Sequence, residues 1–213
     1  MKPKVILYLD HPGCSIESCL GIIHALSPKY DVDIFHQHHI NESKFKKYDI
    51  IAFPGGYGDS DTFDDSLLVK RDIIKNQISK GKRYLGICMG AYWAGSYYFD
   101  ILNDIKCEQY IKKTDSNVHR PFSTVTTVIW EGLQHDMFFY DGCSLMGDNS
   151  KFQTIATYTN GDPMAIIQNN VGLIGCHPES EEYWYDKPYL KHHWHNFVHH
   201  RLLLDFVDKL MQH

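Results

Sequence analysis

Four short apolar runs, each stopped by a glycine or proline turn, constrain this chain most. Lys4–Asp10 (KVILYLD) runs into His11-Pro12-Gly13, and Tyr48–Phe53 (YDIIAF) into Pro54-Gly55-Gly56. Tyr84–Ile87 (YLGI) runs into Cys88-Met89-Gly90, and Val171–Cys176 (VGLIGC) into His177-Pro178. Runs this short and continuous suit strands covered on both faces. Helical stretches lie between them. Ser15 reads as an N-cap with Glu17 in the first turn of an amphipathic helix ending near Leu26. Ser66–Lys80 places Leu67, Val69, Ile73, Ile74 and Ile78 at helical spacing and stops at Gly81, and Gly90–Tyr98 reads as a further helix. With Tyr30–Phe35 as an alternating strand, the rhythm predicts an α/β fold, a mostly parallel sheet with helices on both faces.

The second half reads differently. Asn103–Tyr140 is aromatic and threonine-rich, as expected of antiparallel strands or hairpins at one end of the sheet. Phe152–Tyr158, Met164–Ile167 and Val171–Cys176 read as late strands separated by turn residues, and Tyr189–Leu210 as a long closing helix. The chain of 213 residues has no repeat, low-complexity tract or linker, so one domain over residues 1–213 is expected.

Charge and hydropathy narrow the function classes. Acids outnumber bases 26 to 21, for a formal net charge of −5, which argues against a nucleic-acid or anionic-membrane partner. No run approaches the roughly 20 apolar residues that span a bilayer. The apolar part of Met1–Asp10 is too short for a signal peptide, so a cytoplasmic protein is expected. The six cysteines, at 14, 19, 88, 107, 143 and 176, form no CxxC pair and read as thiols rather than a disulfide framework.

One of those thiols is placed differently from the rest. Gly86-Ile87-Cys88-Met89-Gly90 sits at a strand-to-helix junction and has the form of a nucleophile elbow, G-x-Nuc-x-G, with cysteine as the nucleophile. Glycines at −2 and +2 relieve crowding around a tight, strained turn. The turn also sets the thiol at a helix start, where free N–H groups favour thiolate. His177-Pro178-Glu179 follows the strand Val171–Cys176; in extended chain, residues two apart share a side, so Glu179 can orient the His177 imidazole toward a nucleophile. Pro178 favours that extended geometry at His177. After Phe53, Gly55 or Gly56 can turn an amide toward a ligand and, with the Met89 amide, form an oxyanion hole. All three segments lie at carboxyl ends of expected parallel strands, where open α/β sheets place their sites.

At these residues the sequence resembles the class I glutamine amidotransferase-like superfamily. Within it, the likeness is nearest to the amidotransferase-like domain at the N-terminus of some biotin–protein ligases. It runs over the loop 10–15, FPGG at 53–56, YLGICMGAYWAG at 84–95, FFYDG at 138–142 and GCHPE at 175–179. The resemblance implies a flavodoxin-like three-layer sandwich, Cys88 as nucleophile, His177 as base and Glu179 as its partner. It implies hydrolysis of a small-molecule amide or acyl bond, with no cofactor and no metal. One position departs: glutamine-using relatives carry Gln where Tyr92 stands, which separates the triad chemistry from glutamine as substrate. No synthase domain follows in this sequence, so ammonia transfer would need a separate synthase or acceptor protein.

Other features have plainer readings. Asp10 and His11 follow the first strand on the triad's edge and are possible pocket lining. The histidines at 192, 193, 195, 199 and 200 read as a wet helix face, since no acid or cysteine nearby in sequence completes a metal set. Of Tyr183, Trp184, Tyr185 and Tyr189, most are expected to pack rather than roof a pocket. Two further function classes compete with a hydrolase. One is a binding or regulatory module keeping the fold without turnover; the other is a cysteine stress-protein relative, in which a histidine usually occupies the position of Met89.

Overall fold

The computed structural model of the protein describes residues 2–213. Its main sheet has nine strands in the order β2-β1-β3-β4-β11-β10-β9-β6-β7. The strands β1 (Lys4–Tyr8), β2 (Asp31–Phe35), β3 (Ile50–Phe53), β4 (Arg83–Ile87) and β11 (Val171–Ile174) are mutually parallel. β10 (Pro163–Gln168), β9 (Gln153–Tyr158), β6 (Thr124–Trp130) and β7 (Leu133–Phe139) extend that core by antiparallel pairing. β5 (Ile105–Gln109) and β8 (Cys143–Gly147) pair separately as a two-stranded ribbon.

Successive side chains on the central strands enter opposite cores. Val5 and Leu7 join α1 (Ile16–Leu26) and α5 (Val198–Leu210) on one face, whereas Ile6 and Tyr8 join α2 (Ser60–Ser66), α3 (Arg71–Ser79) and α4 (Met89–Trp93) on the other. This two-sided burial is why the strands read as continuous apolar runs. It makes the fold a three-layer sandwich of the flavodoxin-like kind. Gly172 lets α5 close on β11, for a Cβ there would meet the Phe206 ring at 2.8 Å.

The helices are shorter than their sequence periodicity suggests. The expected helix over 66–80 opens as a 3-10 turn at Leu68–Lys70 and is α-helical only over α3, while α2, capped by Asp59 accepting from the Thr62 amide, lies ahead of it where the sequence marked no helix. Leu67, fully buried at the junction, anchors the break. The helix expected over 90–98 ends at Trp93, because Gly95 and Ser96 carry poor helix propensity and the chain tightens into turns. The long helix expected over 189–210 also breaks. Lys191–His193 form a 3-10 turn, Asn196 and Phe197 take φ of 48° and 63°, and only Val198–Leu210 is α-helical. No helix among the described residues is long and apolar enough to cross a membrane.

Candidate active site

Sheet register decides which loops meet. Phe53 pairs with Gly86 across β3 and β4, and Ile174 pairs with Ile87 across β11 and β4. Pro54-Gly55, Cys88 and Gly175-Cys176-His177 therefore leave the sheet side by side. The elbow is fixed from several directions. The Cys88 amide donates to the Ile174 carbonyl at 2.8 Å, the Gly90 amide to the Pro54 carbonyl at 3.0 Å, and the Tyr84 hydroxyl to the Gly90 carbonyl at 2.7 Å. Cys88 takes φ 50° and ψ −103°, a conformation that costs a non-glycine residue about 1–3 kcal/mol. The flanking glycines have the reason the motif implies. A Cβ on Gly86 would collide with the Gly90 carbonyl, and one on Gly90 with the Phe53 carbonyl.

His177 and Glu179 form a second buried unit. The His177 Nδ1 lies 2.9 Å from Glu179 Oε1, the His177 amide donates to the Phe138 carbonyl at 3.0 Å, and Glu179 has no exposed surface. Burial alone pulls the His177 imidazole toward neutrality. The Glu179 carboxylate, with its hydrogen bond, and the neighbouring Cys88 outweigh it and push its pKa up to about 10. His177 rests against the Pro54-Gly55-Gly56 loop, where a Cβ on Gly55 would meet its Cε1 at 2.7 Å. Phe138 and Trp184 stand at its sides, with ring centroids 6.0 and 5.5 Å away.

Two residues of α1 that the sequence reading passed over complete this unit. Ser18, fully buried, donates its hydroxyl to Glu179 Oε1 at 2.6 Å and accepts the Gly55 amide at 2.9 Å. Gly21, one turn on, leaves room for the Glu179 backbone carbonyl at the place a Cβ would occupy. Small residues three apart on one helical face were the available signal for a close approach. Gly55 spends its amide on Ser18, so of the pair 55/56 only the Gly56 amide is left for a ligand. Among the described residues, the Gly56 and Met89 amides have no hydrogen-bond partner.

Two cavities flank the Cys88 sulfur and share Gly56, Tyr57, Cys88 and Tyr140 in their walls. The first, of about 360 Å³, holds His177, Gly55, His11, Phe138 and Trp184. The second, of about 500 Å³, holds Met89, Tyr92, Tyr98, Gln109 and Asp141. Tyr92 turns its hydroxyl to the Asp141 carbonyl at 3.2 Å. Asp10 lies elsewhere: it lines a separate hollow beside Trp93, and its carboxylate accepts from Tyr8 and from the Gln37 amide. Of the aromatic residues after Glu179, Trp184 borders the first cavity and Tyr185 is buried against Ser180, while Tyr183 and Tyr189 are half exposed.

The tail histidines correct the wet-face expectation. His199 and His200 are buried, and His195 stacks on His199 with centroids 3.9 Å apart. The fold brings Glu181 beside them, as spacing within the tail could not show. His24, Glu181 and His200 lie close enough to offer a metal-like set. The His24 Nδ1 pairs with Glu181 at 2.8 Å, whereas the His200 Nε2 is taken by the carbonyls of Glu179 and Ser180 at 3.2 and 3.0 Å. That makes His200 a strap on the Glu179 backbone.

With fold and site in view, comparison with known proteins gives the class. The family model described as glutamine amidotransferase class-I matches residues 21–197, and the chain belongs to that family. No curated protein matches the sequence significantly. Among solved structures, a glutamine amidotransferase from Thermotoga maritima superposes with a TM-score of 0.71 at 12% identity, over 100% of both chains. The structure of PurLQS from the same organism gives 0.63 at 16% identity, over 99% of this chain and 100% of that one. A further glutamine amidotransferase gives 0.64 at 14%, over 98% and 99%. At these identities the likeness is one of fold.

Proposed function

We propose that the protein is a cysteine-dependent hydrolase of a small-molecule amide or acyl bond, working through Cys88, His177 and Glu179. The observation that carries this reading is His177, held from behind by the buried Glu179, standing in the same cavity wall as the strained Cys88. With Nδ1 given to Glu179, Nε2 is the imidazole nitrogen left for the thiol. In this mechanism the Cys88 thiolate attacks the carbonyl carbon, and the oxyanion is held by the Gly56 and Met89 amides, each worth about 3 kcal/mol. His177 gives its proton to the departing amine as the C–N bond breaks, leaving a thioester on Cys88. It then takes a proton from water, whose attack releases the acid and returns the Cys88 thiolate beside the protonated His177.

Tyr92, Trp93 and the Tyr140-Asp141-Gly142 turn favour the branch related to biotin–protein ligase amidotransferase-like domains.

The test is intact-protein and peptide mass spectrometry after exposure to an amide-bearing electrophile. Labelling is expected at Cys88 well ahead of Cys107, with the preference lost in His177→Ala. Equal labelling of Cys88 and Cys107 would favour a binding or regulatory module instead.

A further inference from the structure

A substrate must satisfy the walls beside the nucleophile as well as the triad. Those walls carry three carboxylates. Glu17 stands in the first cavity, and Asp59 and Asp141 in the second. Among the described residues lining the two there is no lysine or arginine, and the basic side chains are the imidazoles of His11 and His177. Local partners account for part of each carboxylate. Glu17 accepts from the Ser15 hydroxyl, Asp59 from the Thr62 amide, and Asp141 Oδ2 from Gln109. None of these partners is a cation. Asp141 Oδ1 is shut away from solvent with no partner at all, an arrangement that leaves a buried acceptor unsatisfied. Burial raises the Asp141 pKa, opposed by the Gln109 hydrogen bond and by Lys112, which stands outside the lining. Between the two hollows stand Tyr57 and Tyr140, both at least half exposed, with Trp184 beyond, offering aromatic faces.

A free α-carboxylate, such as glutamine carries, would enter this space against carboxylates, with the imidazoles of His11 and His177 to offset them. An ammonium group would meet carboxylate oxygens and aromatic faces, both of which attract cations. The replacement at Tyr92 points the same way, because that ring and its bond to the Asp141 carbonyl occupy the wall where glutamine-using relatives carry an amide side chain.

Resting on the hydrolase reading above, we infer that the substrate is an amide bearing a positively charged amine near the scissile bond and no free carboxylate there.

The test uses three 2-chloroacetamides with the same linker and different tails: a trimethylammonium, an uncharged hydroxyl and a carboxylate. Each alkylates a thiolate by forming an S–C bond and expelling chloride. Second-order rates at Cys88 and Cys107 are read in parallel by peptide mass spectrometry at fixed ionic strength. The cationic probe should label Cys88 about tenfold faster than the anionic one, with a smaller ratio at Cys107, which reports the overall negative charge. Asp141→Asn alone should reduce the Cys88 ratio. The combined Glu17→Gln, Asp59→Asn, Asp141→Asn variant should bring it near the Cys107 value; Asn retains the cap at position 59. An anionic probe as fast as the cationic one at Cys88, or a ratio unmoved by Asp141→Asn and by the triple variant, overturns the inference. Failure of the hydrolase reading shows separately, as a Cys88 rate no higher than Cys107 with every probe, because the charge ratio is still measured.

Discussion

Two buried histidines have their pKa values pushed in opposite directions. His177 faces the Glu179 carboxylate and Cys88, and these partners push its pKa up to about 10 against the pull of burial. His199, at the start of α5, meets His195 and His135 instead of an acid. Burial first, then those neighbouring imidazoles, push its pKa down to about 2. His195 is likewise lowered to about 3, by burial and by His200. Equal burial therefore says little about an imidazole; the partner decides whether it can carry a proton. The front pair is equipped for proton transfer, while the rear stack is neutral packing that shapes the segment behind Glu179.

The largest effects should break the front pair. Cys88→Ala and His177→Ala are each expected to remove turnover of any amide substrate by about 10³-fold or more, measured as kcat/KM. Their melting temperatures should change far less than their activity. Glu179→Gln keeps the shape but offers no charge to hold the imidazolium, and a loss of about 10²-fold in kcat is expected. In that variant the His177 pKa should fall toward its ordinary value.

Ser18→Ala sharpens the comparison from the α1 side. It removes the bond to Glu179 Oε1 and leaves the Gly55 amide unpaired. A drop of about tenfold in kcat is expected, equivalent to about 1.4 kcal/mol. Ser18→Thr should recover part of it, and a shifted pH profile of kcat would separate positioning from loss of fold.

The rear stack predicts an acid limb in stability. His199 binds a proton in the unfolded chain below about pH 6.5 and resists one when folded. Its contribution is fully present above that pH and drains as pH falls toward about 2, by up to about 1.4 kcal/mol per pH unit. His177 contributes in the other direction, fully present below about pH 6.5 and lost as pH rises through about 10. Urea midpoints between pH 7 and 4 should fall less steeply in His199→Leu than in the native protein. An identical slope would remove His199 from this account. The smallest effect is expected at a cap away from both histidines: Asp59→Ala should cost about 1 kcal/mol through loss of the Thr62 bond.

The front half of this comparison was legible in the sequence, and the rear half was not. Cys88, His177 and the Pro54-Gly55-Gly56 turn each sit one to three residues past an apolar strand. Local chemistry marks them there, and parallel register does the rest. Ser18 carried no such mark, because its partner lies 161 residues away and Ser15 already accounts for the helix start. Asp10 follows its strand as closely as the others, yet Tyr8 and Gln37 draw it into a different hollow. The tail histidines were misread for a related reason. Helical periodicity assumes one continuous helix, and the positive φ at Asn196 and Phe197 resets the faces before α5 begins.

The central claim is that sulfur, imidazole and carboxylate form one electrostatic unit, and NMR of the ring nitrogens of His177 tests it directly. With 15N-labelled histidine, His177 should keep the imidazolium signature to about pH 10 and lose part of that shift in Cys88→Ala. A His177 ring that titrates near pH 6.5 in the native protein, and identically without Cys88, would contradict it.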